Sequence, residues 1–279
     1  MRLKMLVIGG DRRSGWLVRR AREAGWEADG IWLDRFDPSF VCAWPEGARF
    51  DVYVLPYPVA EREGAVVTPL ATRPLDVEEV RARIPAGARV MAGKGELNGA
   101  WATLSPSALE SFAVGNAVPS AEGAIFEAMR GAEGCIATSD CLVVGYGRIG
   151  RLLARKLSAL GARVTVAARK EKDRVWAMAE GCGACPVTQI AERIAGMQFI
   201  FNTAPSPVIG EAELEAMRPD ALAIELASAP YGIDMAAAKR LGRQALLAAG
   251  IPGKYAPAYA AEVLLRAIDE CIAPCPEER

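Results

Sequence analysis

The sequence predicts an α/β protein of two doubly wound parallel-sheet domains joined by hinge helices, and three observations predict it. Apolar strands alternate with amphipathic helices at a spacing that places helices on the faces of a parallel sheet. A strand–glycine–helix–glycine–strand order occurs twice, with Gly9 and Gly25 separated by 16 residues and Gly145 and Gly161 by the same 16. A glycine turn, Gly145-Tyr146-Gly147-Arg148-Ile149-Gly150, joins an apolar strand to an amphipathic helix. Two Rossmann-like units account for all three.

The first cycle opens with strand Leu3–Ile8 and Gly9-Gly10-Asp11, followed by an amphipathic helix over Ser14–Ala24 that Gly25 ends. Strands are expected at Ala28–Leu33, at Phe50–Leu55 before Pro56 and Pro58, and at Arg89–Ala92, with a short helix over Val77–Ile84. The second cycle begins at Ile136, with strand Cys141–Val144 leading into the glycine turn. Ile149, Leu152, Leu153, Leu157 and Leu160 then recur at helical spacing on one face. Gly161 closes that helix, and strands follow at Val164–Ala167, Phe199–Phe201, Leu222–Glu225 and Ala245–Leu247. Two further amphipathic helices, Pro119–Arg130 and Ala260–Ala273, are assigned to the hinge. The expected division is an N-terminal domain of residues 1–118 plus 253–279, a hinge helix in 119–135, and a second Rossmann domain in 136–252. The cleft between domains is where chemistry is expected.

Composition narrows the function. Lys+Arg 33 against Asp+Glu 34 gives no field for a polyanion, so neither nucleic acid nor an anionic membrane is expected as partner. No apolar run approaches the roughly 20 residues a bilayer span needs, and the start reads as a core strand, not a leader. A cytoplasmic protein is expected. There is no His, which removes the commonest proton shuttle and zinc ligand. Acid–base work must fall to Asp, Glu, Lys, Tyr or Cys. Cys182 and Cys185 form a C-G-A-C, and Cys271 and Cys275 lie near the end. Outside a thioredoxin or zinc-ribbon context they read as reduced, packed thiols rather than a redox pair or metal site, and no metal is expected.

The glycine turn carries the first functional expectation. Gly145 allows the tight turn, Gly147 leaves room for a pyrophosphate, and Gly150 lets helix and strand approach. The N–H groups and dipole at the helix start favour phosphates. At the end of the next strand an NAD site usually holds an acid for the ribose hydroxyls. This chain has Ala167-Ala168-Arg169-Lys170 there. Arg169 can pair with a 2′-phosphate and stack on adenine, so NADP is favoured, with NAD the alternative. Gly9-Gly10-Asp11 has the wrong spacing for a second such site, and Asp34 reads as a loop acid.

Other segments resemble one family. They are Val7-Ile8-Gly9-Gly10-Asp11, Asn116-Ala117-Val118-Pro119-Ser120-Ala121-Glu122-Gly123, Asn202-Thr203-Ala204-Pro205, Glu225-Leu226-Ala227-Ser228-Ala229-Pro230-Tyr231-Gly232 and Gly250-Ile251-Pro252-Gly253-Lys254-Tyr255-Ala256-Pro257. Together with the glycine turn they resemble the A subunits of dipicolinate synthase from endospore-forming bacteria, nearly end to end. The resemblance implies an enzyme of the lysine-branch pathway. It would oxidise a cyclic dihydro- or hydroxytetrahydropyridine dicarboxylate to dipicolinate in the mother cell, with a separate, flavoprotein-like B subunit.

On that reading Arg12, Arg13 and Ser228 are candidate substrate ligands, and Glu122, Lys254 and Lys94 candidate catalytic groups. From its residues alone Glu122 reads first as a helix-start carboxylate, with a base as the other role. Asn202, Thr203, Ala204 and Pro205 resemble the loop beside the nicotinamide ribose, and Ser228 and Pro230 the loop near the ring. With Tyr146, Arg148, Ile149 and Lys170 they complete the expected cofactor set.

The chain departs from the family at Ala258-Tyr259-Ala260-Ala261, where a Lys or Thr and a Gly are usual, and at Asp11-Arg12-Arg13-Ser14, where Asp-x-Arg-Gln is usual. Two other readings stand beside this one: a two-domain hydroxyacid or amino-acid dehydrogenase, and a non-catalytic NADP-binding sensor or scaffold protein. Assembly as a homo-oligomer is open in all three.

Overall fold

The computed structural model describes residues 2–57, 59–62, 64–92 and 102–273. Its chain divides into two units, Met1–Asn116 with Pro252–Arg279, and Ala117–Ile251.

The first unit contains β1 (Lys4–Ile8), α1 (Arg12–Glu23), β2 (Glu27–Ile31), β3 (Val52–Val54), the hairpin β4 (Ala60–Arg62) and β5 (Ala65–Val66), α2 (Val77–Arg83), β6 (Arg89–Met91) and β7 (Ala102–Leu104). Its five-stranded sheet is parallel throughout, in the order β2-β1-β3-β6-β7. The apolar run of β1 is split between faces by the strand period of two. Met5 and Val7 pack on one side with Leu17, Val18 and Ala21 of α1. Leu6 and Ile8 pack on the other with Val77 and Val80 of α2.

The second unit begins within α3 (Glu110–Gly131) and continues through β8 (Asp140–Val144), α4 (Arg148–Ala159), β9 (Arg163–Ala167), α5 (Glu171–Ala179), β10 (Gly183–Cys185), α6 (Ile190–Ile194), β11 (Phe199–Asn202), α7 (Glu211–Ala216), β12 (Leu222–Glu225), α8 (Met235–Arg240) and β13 (Gln244–Leu247). Its six strands are parallel in the order β10-β9-β8-β11-β12-β13. The strand order reverses direction between β8 and β11, which is the switch point where doubly wound sheets bind ligands. The chain then returns through α9 (Ile251–Tyr255) to α10 (Pro257–Ile272). Leu264, Leu265 and Ile268 of α10 join the α1 face of the first sheet, so the last helix completes the first core.

Several expected boundaries move. The helix expected to start at Pro119 starts at Glu110 and carries Pro119 in its interior. Tertiary packing extends it: Phe112 packs against the first core, Ser111 Oγ donates to Glu270 at 2.8 Å, and a Cβ on Gly115 would come within 2.7 Å of Val263. Strand β2 ends at Ile31, two residues early, because Trp32 leaves extended geometry with φ 57. Helix α10 begins at Pro257, a residue suited to a first helical turn. Strands β7 and β10 and helix α5 are too short or too weakly periodic for the sequence pattern to reveal them. Cys182 and Cys185 are buried, and Cys185 packs in the apolar core of the second unit. Lys94 and Cys275 lie outside the described residues.

Candidate functional site

The glycine turn follows β8 and opens α4. Gly145 sits at φ +94 and donates its N–H to Ala167 O at 2.9 Å, tying the turn to the end of β9. A side chain there would also meet Thr203 Oγ1 at 2.6 Å. A Cβ on Gly150 would fall inside contact distance of Gly145 O, so this glycine sets how closely helix and turn approach. Gly147 is different. It is the N-cap of α4, makes no side-chain cap, and a Cβ there would have nothing within 4 Å. The helix therefore starts with its first N–H groups uncapped by that residue and open space beside them. That is the geometry an anion requires.

A cleft of about 380 Å³ opens beside this turn. Of the expected cofactor residues, Gly145, Tyr146, Arg169, Lys170, Ala204 and Pro205 line it. Asp173, Val187, Ser206 and Val208 also line it, and sequence reasoning misses them. They come from loops and helix starts without a periodic signal. Arg169 and Lys170 bring two cations to the wall. Asp173 brings one carboxylate, with Arg151 Nη2 3.7 Å away.

Tyr146 is buried, and its hydroxyl donates to Glu180 Oε2 at 3.0 Å. Burial, reinforced by Glu180, pushes the phenol up to about 12. The Arg151 guanidinium lies 5.1 Å from the Tyr146 ring centroid. Tyr146 and Arg151 thus brace both ends of α5 against the glycine turn.

Asn202 and Thr203 support the cleft from beneath. Asn202 is fully buried, and its amide donates to Ala204 O at 3.0 Å and to the Glu225 carboxylate. Thr203 Oγ1 donates to Val144 O at 2.9 Å, under the turn. Ser228 is exposed after β12.

The remaining candidates belong to several elements of the two units. Glu122 is not a helix-start carboxylate: it lies within α3, and its Oε1 accepts from Lys156 Nζ at 2.8 Å. The earlier start of α3, imposed by packing, is the reason. Lys254 lies in α9 with Nζ 4.7 Å from the Tyr255 ring centroid. In the first unit Arg12 is exposed at the start of α1. Arg13 Nη2 donates to Asp11 Oδ2 and to Tyr57 O, both at 3.2 Å. Asp34 accepts from Cys42 Sγ at 2.8 Å, and that hydrogen bond, with those from Thr72, holds its carboxyl at about 2.

Two parallel sheets, with a glycine turn at the switch point of the second, make this a dehydrogenase-like α/β fold. Residues 124–251 match the NAD binding domain of D-isomer specific 2-hydroxyacid dehydrogenases. Over nearly its full length the chain is similar to the A subunit of dipicolinate synthase from Bacillus subtilis (strain 168), with 29% identity over 285 residues, covering 97% of this chain and 96% of that protein. The solved structure of the dipicolinate synthase A subunit from Bacillus halodurans superposes with a TM-score of 0.86 at 26% identity, covering 98% of each chain. That of the dipicolinate synthase A chain from Bacillus subtilis gives 0.82 at 28% identity, covering 97% of this chain and 95% of that one. The resemblance read from the sequence segments therefore holds from end to end.

Proposed function

We propose that this chain is the dinucleotide-binding A subunit of a dipicolinate synthase, oxidising dihydrodipicolinate or its hydroxytetrahydro precursor to dipicolinate with NADP. The observation that carries the cofactor reading is the open space beside Gly147, the N-cap of α4. Bound nicotinamide would supply the hydride acceptor. The chain's own part is to seat a diphosphate on the N–H groups of α4, to offer Arg169 and Lys170 to a 2′-phosphate, and to hold the substrate. The hydroxytetrahydro precursor must first lose water to give the dihydro ring. The dihydro ring then loses one hydride to the cofactor and one proton to a base, and aromatisation drives both, so a weak base is enough.

Arg12, Arg13 and Ser228 are proposed for the substrate carboxylates, and Glu122, Lys254 and Lys94 as candidates for the proton. A flavoprotein-like B subunit is the proposed partner, and the sporulating mother cell the setting. Asp173 supports a second reading on the cofactor alone: a carboxylate in the same wall favours the ribose hydroxyls of NAD over a 2′-phosphate.

The test is to mix this chain with the B subunit, NADP or NAD, and freshly made dihydrodipicolinate. The ultraviolet spectrum of a pyridine dicarboxylate should grow in. A flat trace with both proteins folded removes the substrate assignment.

A further inference from the structure

Glu225, the last residue of β12, is 0% exposed. Each of its donors is neutral. Asn202 Nδ2 lies 2.7 Å from Oε1 and 3.0 Å from Oε2. The Ala227 N–H donates to Oε1, and the Gly232 and Ile233 N–H groups donate to Oε2, each at 2.8 Å. A buried carboxylate without such donors is strongly disfavoured. The converse also holds: without the carboxylate, three backbone N–H groups would lose this acceptor, and the Asn202 amide would keep only Ala204 O.

The donors come from the end of β11 and from the loop after β12, and they tie down two loops. One follows β11 and carries Ala204, Pro205 and Ser206 on the cleft wall. Asn202 controls it from both sides, donating to Ala204 O and accepting from Ala204 N at 3.3 Å. The other loop, 226–233, follows β12. Gly232 O accepts from Val208 N at 3.0 Å and Ile209 N at 2.9 Å, closing the second loop onto the first. Gly232 has no Cβ where one would collide with Asn202 Nδ2. The carboxylate is therefore the shared acceptor that sets both loops at once. In a doubly wound sheet the two halves of a dinucleotide lie on opposite sides of the switch point. With Arg169 beyond β9, the β11–β12 side faces the half that lacks adenosine.

We infer that Glu225 is a positioning residue for the nicotinamide half of the cofactor, acting through Asn202 and the 226–233 loop. This rests on the proposed cofactor reading. The experiment compares wild type with Glu225→Gln, which keeps the shape but turns one acceptor into a donor facing donors. Calorimetric titration uses the full dinucleotide and an adenosine-half probe, 2′,5′-ADP or 5′-ADP.

Glu225→Gln should weaken the full dinucleotide by about tenfold or more and change the probe by less than about twofold. Gly232→Ala, which displaces Asn202 but leaves the carboxylate, should show the same split and decides the matter if Glu225→Gln does not fold. Equal weakening of both ligands, or of neither, in a folded variant overturns the inference. Wild-type protein that binds neither ligand removes the cofactor reading, and this inference with it.

Discussion

The turns at residues 9–14 and 145–150 have the same backbone frame and opposite N-caps, one carrying a carboxylate and one bare. Every element around them matches: β1 with β8, α1 with α4, and β2 with β9 have equal lengths and equal spacings. Gly9 N donates to Ile31 O at 2.9 Å, as Gly145 N donates to Ala167 O at 2.9 Å. The closing glycines, Gly25 and Gly161, sit at φ +92 and +93. Even the N-cap residues agree, Asp11 at φ −84, ψ −171 and Gly147 at φ −82, ψ −160. What differs is the side chain on that frame. Asp11 folds onto its helix and accepts from Arg13 N at 2.8 Å, so the first unit fills its own anion position with its own carboxylate. Gly147 leaves the same position open. One frame yields a self-capped helix in one unit and, in the other, the open N-cap proposed as the phosphate seat, and a single residue makes the difference.

The sharpest way to break this comparison is Gly147→Asp, which transplants the first unit's cap into the second. Calorimetry should show dinucleotide affinity falling by more than about 100-fold, since a fixed carboxylate both occupies the seat and repels phosphate. The thermal midpoint should hold or rise, because an Asp cap adds about 1 kcal/mol to a helix. Loss of folding would show that the two frames are not equivalent.

The next residues extend the contrast. Where β2 is followed by buried Trp32 and Leu33, β9 is followed by Ala168 and the cleft residue Arg169. Arg169→Asp should lower NADP affinity by roughly 10- to 100-fold and NAD affinity by less than about threefold. Equal losses would refute its assignment to a 2′-phosphate.

The reciprocal change in the first unit should be smaller and confined there. Asp11→Ala removes the α1 cap and should cost about 1 kcal/mol in chemical denaturation, with dinucleotide affinity unchanged. A loss of affinity would mean that the first turn serves the cofactor after all.

The smallest effect concerns the second position of each turn, Gly10 in one and Tyr146 in the other. The folded protein holds the Tyr146 phenol at about 12 against an ordinary 10.0, first through burial. Its stabilisation is thus complete below pH 10, where both folded and unfolded forms keep the proton. It is lost as pH rises from 10 toward 12, where the unfolded form deprotonates first. Urea unfolding at stepped alkaline pH should show a shallower decline for Tyr146→Phe than for wild type; identical slopes would contradict the assigned burial.

Much of this was legible in the chain because it is local. The repeat of Gly9–Gly25 in Gly145–Gly161 follows from strand and helix lengths, and the roles of Gly145 and Gly150 follow from spacing. Other features depend on distant partners. Pro119 marks a usual helix start, yet Phe112, Gly115 and Ser111 find neighbours in the first unit and carry the helix back to Glu110. Asp173 and Ser206 reach the cleft only because β9 and β11 flank β8. Glu225 looked like the end of a strand. Its role needs Asn202, a strand away, and Gly232, a loop away.

By itself the sequence determined two parallel α/β units and a glycine turn between strand and helix in the second, because periodicity and glycine spacing act within about thirty residues of chain. Only the tertiary structure decided which acids are engaged and which positions stay empty. A carboxylate's partners, and the space beside a glycine, are properties of neighbours that the chain brings together after folding.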